Sequence, residues 1–317
     1  MQDFEELKRL QKIVPTSSLL RVETLEEVSA KGKTFPILSF CLGPNDPSLP
    51  TFGLFAGVHG LEKVGTHVSL HYLESLLEQL KWDKDLQKTF ETMRLVSIPM
   101  INPVGVYFKT RSNGNDVDLM RNSPVLSKEK VPFLVGGHQF SKKLPWFRGD
   151  STQMEKESIA LIEFVKKQMF GSKFSMALDI HSGFGLKDRL WYPYAKTKID
   201  FPLKSIALAF ANLLQRVHPH HIYKIEAQSE SYTTHGDLWD YMFDMQYAEH
   251  KQNIFIPWCL EMGSWTWIRK NPLQVFSSHG VFHPIKAHRY QRTMRRHYNL
   301  LDLFQRSCHN HLHWSTS

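Results

Sequence analysis

His59 and Glu62, in the run His59-Gly-Leu-Glu62, set an imidazole and a carboxylate three residues apart, where strand-forming residues 52–58 give way to helical spacing. At such a junction both side chains can face one point and offer a divalent metal two of the three protein ligands of a catalytic site. His181 ends a second apolar run, Phe174-Ser-Met-Ala-Leu-Asp-Ile-His181, just before a glycine turn, and can supply the third. Two histidines and a carboxylate are a common catalytic zinc set that leaves a fourth position for water. Asp179 lies on the same side of that strand, as a partner that orients a ligand or as a buried polar residue with a backbone partner. Glu261 ends a third apolar run, Ile256-Pro-Trp-Cys-Leu-Glu261. A carboxylate there is costly to bury unless paired or functional. Alone it reads equally well as a salt-bridged strand end; beside a metal it is a general base for water. The loop from Tyr107 to Asn122 adds Arg111 and Arg121. One guanidinium fork can polarise a carbonyl and the other can hold a carboxylate.

These residues need strand ends to carry them. Strand-like runs occur at 37–41, 52–58, 94–101, 174–180, 190–194 and 254–260. Helical spacing occurs at 4–13, 64–80, 155–170, 202–217 and 285–304. The alternation predicts an α/β fold: one mixed, twisted β-sheet with helices on both faces. The stretch 102–149 is rich in Gly, Pro, Asn and Ser and reads as a long functional loop at the carboxyl end of a strand. No repeat or linker divides the chain, so residues 1–317 read as one domain. The motifs occupy about 50–285, and 286–317 form a terminal helix and tail.

Hydrophobic residues at 42% and charged residues at 22% are ordinary for a soluble globular protein. No apolar stretch reaches the ~18 residues of a membrane span. The amino terminus lacks a signal peptide's apolar core, so a cytoplasmic protein is expected. Cys41, Cys259 and Cys308 are too scattered for a disulfide framework or a cysteine-rich metal module. The net charge of +8 owes much to Lys286, Arg289, Arg292, Arg295 and Arg296, mostly on one face of a probable helix. A solvated helix surface accounts for them, and no nucleic-acid partner is expected. His218, His220 and His221 form one histidine cluster; His309, His311 and His313 form another, in a tail expected to be loose. Trp258, Trp265 and Trp267 flank Glu261 and suit either a specificity pocket or core packing.

The ordered set His59-x-x-Glu62, Asn102-Pro-x-Gly105, Asp118-x-x-Arg121-Asn122, Asp179-Ile-His181-Ser-Gly and Glu261 resembles the zinc carboxypeptidase family of carboxypeptidase A-like metallopeptidases. It also resembles their relatives aspartoacylase and succinylglutamate desuccinylase. The resemblance covers about 50–263 and implies one zinc ion on His59, Glu62 and His181, with Glu261 as general base and acid. It further implies that Arg111 stabilises the oxyanion and that Arg121, with Asn122, takes a free substrate carboxylate. A mobile tyrosine is assigned to Tyr241, with Tyr232 and Tyr247 as rivals. One departure stands out: Met120 occupies a position where the family usually has asparagine, and a thioether cannot hydrogen-bond a carboxylate in the same way. The expected activity is hydrolysis of an amide bond next to a free carboxylate, by a metallocarboxypeptidase acting on a peptide. An N-acyl amino acid or cell-wall peptide amidohydrolase with the same zinc site, and a non-catalytic binding protein, are the alternatives.

Overall fold

The computed structural model describes residues 4–13, 19–150, 153–183, 185–276 and 278–315. Two central strands explain the layering. β3 (Thr51–Ala56) and β5 (Phe174–Ser182) are buried at every position, the pattern of parallel strands covered on both faces. Phe52 stacks on Phe304 at 5.6 Å, whereas Phe55, on the opposite face of the strand, meets Phe164 and Trp239. Each face of the sheet therefore has its own helical layer. Gly53 is required between these aromatics, because a Cβ there would sit 2.6 Å from the Phe55 ring and 2.8 Å from Met169.

The remaining strands are β1 (Leu20–Ala30), β2 (Lys33–Leu42), β4 (Arg94–Ile98), β6 (Arg189–Tyr192), β7 (Lys224–Ala227) and β8 (Ile254–Met262). They form one eight-stranded sheet in the order β1-β2-β4-β3-β5-β8-β6-β7. Neighbours β4, β3, β5 and β8 run parallel, while β1/β2, β2/β4 and β6/β8 are antiparallel. This is the mixed sheet the sequence predicted. Four helices matter to the site: α1 (Glu5–Ile13), α2 (Lys63–Gln79), α3 (Leu238–Glu249) and α4 (Ala287–His309). α2 and α4 pack on each other and on the β3/β5 face that carries Phe52; α3 packs behind β8. No helix among the described residues is long and apolar enough to cross a membrane.

Several elements depart from the expectation. β1 has no apolar run in the sequence because it is an edge strand whose side chains are mostly exposed or half-buried, with Glu23, Glu26 and Glu27 among them. α3 was missed because its apolar and acidic residues are interleaved, though Asp237 caps it by accepting from the Asp240 amide at 2.9 Å. The tail is not loose: α4 runs on to His309, His311 stacks on Phe174 at 4.7 Å, and Trp314 is buried.

α1 is pinned beside the site by a buried carboxylate. Glu6 accepts from Lys63 Nζ and His67 Nε2, each at 3.1 Å. Burial pushes the Glu6 carboxyl up, but the His67 hydrogen bond and the Lys63 charge outweigh it and hold it at about 2. Its contribution to stability is therefore complete above the ordinary carboxylate range and disappears as pH falls toward about 2. Glu6→Gln leaves Lys63 without its counter-charge and is expected to cost about 3 kcal/mol at pH 7. Urea unfolding should show that deficit at pH 7 and a clearly smaller one at pH 3.

Candidate metal centre

Close backbone approaches build the centre. Asn102 donates from Nδ2 to the Val58 carbonyl at 3.1 Å and accepts from the Gly105 amide at 2.8 Å. A Cβ on Gly60 would lie 1.8 Å from the Gly105 carbonyl carbon. The Asn102-Pro-x-Gly105 motif is thus the brace on which the turn carrying His59 rests. Across the site, a Cβ on Gly65 would lie 2.5 Å from the Ile180 carbonyl oxygen. The first turn of α2 therefore presses on the end of β5, and Glu62 meets His181.

The three side chains converge as the sequence suggested. His59 Nδ1 lies 3.0 Å from Glu62 Oε1, and His181 Nδ1 lies 3.3 Å from Glu62 Oε2. The Ser182 amide donates to the same Oε2 at 2.8 Å. One ligating atom from each of His59, Glu62 and His181 falls within 4.8 Å of the others, and all three residues are buried. Each imidazole turns its other nitrogen to a carboxylate: His59 Nε2 to Asp118 at 2.9 Å and His181 Nε2 to Asp179 at 2.8 Å. Such partners fix the ring and leave Nδ1 for a cation. Asp179 is held in turn by Trp239 Nε1 at 2.8 Å.

The electrostatics favour positive charge at this point. Burial pushes the Glu62 carboxyl up, but His59 and His181 overcome it and hold it well below the usual carboxylate range. Burial presses His181 down, yet Asp179 and Glu62 raise it well above the usual histidine value. Asp118, despite burial, is held low by Arg111 and His59. Two imidazole nitrogens, once deprotonated, and an anionic carboxylate oxygen are the donor set that zinc takes, so the ion would replace the proton these carboxylates hold on His181.

β8 brings up the fourth group. Its register pairs Glu261 with His181, so both project from the same face of the sheet. A cleft of about 340 Å³ opens over the triad, and Glu261, Arg111, Arg121 and Tyr232 all line it. Arg111 donates from Nε to Asp118 at 2.8 Å and from Nη1 to Glu62 at 3.3 Å, with its guanidinium 5.6 Å from the Trp146 ring. Arg121 is buried, and its bonds run to the Val135 and Met120 carbonyls at 3.3 Å each. No carboxylate forms a salt bridge with it among the described residues.

Three expected contributors stand elsewhere. Asn122 is committed to the scaffold, donating to the Arg148 carbonyl at 2.9 Å and accepting from the Glu155 amide at 2.7 Å. Tyr241 lies on α3, packed against the hydrophobic core, whereas its rival Tyr232 lines the cleft. Trp258 is a core residue against Phe210 and Phe304, and the aromatic walls come from Trp146, Trp191 and Phe282 instead. Asp118 was visible as part of a motif, but its double hold on His59 and Arg111 was not. Among the described residues, only His59, Glu62 and His181 are grouped closely enough to hold a metal, so neither histidine cluster forms a second centre.

The sequence profile of the zinc carboxypeptidases matches residues 12–264. The chain belongs to the zinc carboxypeptidase family. Membership fixes the ion as one zinc, which the donor set above fits. Carboxypeptidase N catalytic chain from Rattus norvegicus is 26% identical over 187 residues, 53% of this chain and 38% of that protein. Carboxypeptidase M from Mus musculus is 23% identical over 49% of this chain and 32% of its own length. The chain thus spans well under half of these relatives. Among solved structures, bovine thrombin-activatable fibrinolysis inhibitor in complex with tick carboxypeptidase inhibitor superposes with a TM-score of 0.60 at 14% identity, over 92% of this chain and 95% of that one. Carboxypeptidase A from Helicoverpa armigera gives 0.57 at 18%, over 95% and 74%. At these identities the likeness is one of fold.

Asp118→Asn keeps the shape of the side chain and removes the charge that orients His59. Zinc affinity should fall about 10- to 100-fold. Competition with a chromophoric chelator measures it; an unchanged affinity would deny Asp118 this role.

Proposed function

We propose that this zinc carboxypeptidase family member is a metallocarboxypeptidase, hydrolysing the amide bond next to a free carboxylate. One observation carries the reading: the cleft that holds the metal triad and Glu261 also holds Arg121, a buried guanidinium bonded only to backbone carbonyls. A buried guanidinium that forms no salt bridge among the described residues, though it feels Asp118 and Asp237 nearby, is stabilised by an anionic ligand, and a substrate's terminal carboxylate supplies one.

His59, Glu62 and His181 would hold the zinc ion, which would supply Lewis acidity for water activation and carbonyl polarisation. Glu261 accepts the proton from the attacking water and passes it to the departing nitrogen. Arg111, fixed by Asp118 and leaning on Trp146, offers donors to the oxygen that gains charge. Arg121 anchors the carboxylate and so sets which bond lies over the metal. Met120, Trp146, Trp191 and Phe282 give the cleft apolar walls, which suits an apolar terminal side chain.

Met120 supports a second reading. It lines the cleft where an amide would complete the carboxylate clamp, and an N-acyl amino acid, held by fewer contacts, carries the same carboxylate. Turnover of free, C-terminally amidated and N-acyl substrates separates the two. The free peptide should be cleaved, and the amidated one at least tenfold more slowly. Faster turnover of the acyl-amino acid would shift the assignment.

Glu261→Gln should lower kcat by about 10²–10⁴-fold while zinc content stays at one per chain. Full activity in that variant would remove Glu261 from the mechanism. A zinc-loaded wild-type protein that turns over no substrate would favour a binding role for the fold.

A further inference from the structure

Residues 126–147, which reach the cleft at Val135, Pro145 and Trp146 and form its outer wall beyond them, have a composition that zinc chemistry does not require. It carries Lys128, Lys130, Lys142 and Lys143, all exposed, against a single acid, Glu129. Glu129 is occupied elsewhere, accepting from Thr197 Oγ1 at 2.9 Å and from the Lys198 amide. Several lysines elsewhere in the chain have acidic partners, as in Lys156–Glu26, Lys166–Glu249 and Lys204–Asp200. None of these four has one among the described residues. Between them stand Phe133 and Phe140, 80% and 60% exposed, with rings stacked at 6.0 Å and planes 10° apart. His138 stacks on Phe140 at 4.1 Å.

The wall is braced, and it is continuous with the site. Ser127 donates its amide to His235 Nδ1 at 3.0 Å, and the Lys130 carbonyl accepts from Thr233 Oγ1 at 3.2 Å, next to Tyr232. The His235 amide donates to the Gly136 carbonyl at 2.7 Å. At the far end, His138 Nε2 bonds the Pro145 carbonyl at 2.9 Å. Val135, Pro145 and Trp146 then face the cleft beside Arg121. A chain whose carboxyl end is seated on Arg121 has this wall at its side. Among the described residues that line the cleft, the only carboxylates are Glu62 and Glu261, so a basic segment finds no unassigned counter-charge there.

We propose that this lysine- and phenylalanine-bearing wall docks acidic peptide segments, so that preferred substrates carry aspartate or glutamate upstream of the bond cleaved. The inference rests on the carboxypeptidase reading above and narrows its substrate class. Exposed lysine–carboxylate pairs are individually weak, but several along one segment act together and respond to salt. Continuity with Arg121 favours a peptide over a nucleic acid, which would use the same charges and rings without a terminal carboxylate.

Three peptides with the same two C-terminal residues, preceded by four Glu, four Gln or four Lys, provide the test. The zinc-loaded protein should cleave them with kcat/KM falling in that order, at least tenfold from Glu to Lys, mostly through KM. The order should flatten at 0.5 M NaCl. The variant with Lys128, Lys130, Lys142 and Lys143 all changed to Ser should lose the preference and keep its rate on the Gln peptide within twofold. Binding of the same peptides to Glu261→Gln, read by fluorescence anisotropy, reports docking without turnover. Equal binding of the Glu and Lys peptides would overturn the proposal, as would a preference that survives in the lysine variant. Tighter binding of a single-stranded oligonucleotide than of the Glu peptide would also overturn it. Charge-ordered binding without cleavage by the wild type would keep the docking surface and reject the carboxypeptidase reading.

Discussion

The press of α2 against the end of β5, with no side chain on Gly65 to hold them apart, is the constraint on which the centre depends. It puts Glu62 within reach of His181 and lets its second oxygen accept the Ser182 amide. The Gly60–Gly105 contact does the same for His59. Between these two approaches the parallel pairing of β3 with β5 sets the distance, because the two strands run in register along the whole of β3. A metal site assembled from distant segments gains its precision from such backbone contacts, since each side chain then has few conformations to lose.

A ring of carboxylates around the triad turns position into chemistry. Asp118 and Asp179 each fix one imidazole, and Asp118 also accepts from Arg111, so one carboxylate positions both His59 and Arg111. Burial alone would drive these carboxyls toward neutrality, yet at Glu62 and Asp118 the facing cations win. The centre thus has one anionic ligand, Glu62, between two imidazoles, and Arg111 and Arg121 bring positive charge to the cleft that Glu261 also lines. On the proposed reading, that polarity sets the direction in which a substrate's terminal carboxylate enters, and the lysines of residues 126–147 extend it beyond the site.

Much of this was legible in the sequence where strand ends coincide with reactive residues. His59, His181 and Glu261 each close an apolar run, and period-two alternation placed Asp179 beside His181. The order of the five motifs carried the family. What remained hidden has physical causes. β1 and β7 are edge strands without apolar runs, so only pairing with β2 and β6 defines them. Asn122 follows an arginine of the cleft but turns away because the short 3-10 turn ending at Arg121 directs its amide to Arg148 and Glu155. Trp239 and Tyr232 come from a stretch whose apolar and polar residues alternate without a clear period, so only the tertiary fold reveals that one anchors Asp179 and the other lines the cleft.

The central claim is that His59, Glu62 and His181 hold one zinc ion beneath Glu261. A crystal of the zinc-loaded protein measured on both sides of the zinc absorption edge tests it most directly. The account predicts a single anomalous peak, bonded to Nδ1 of both histidines and to a Glu62 oxygen at about 2.0–2.2 Å, with Glu261 facing the open position. No peak there, or a peak held by other residues, would contradict it.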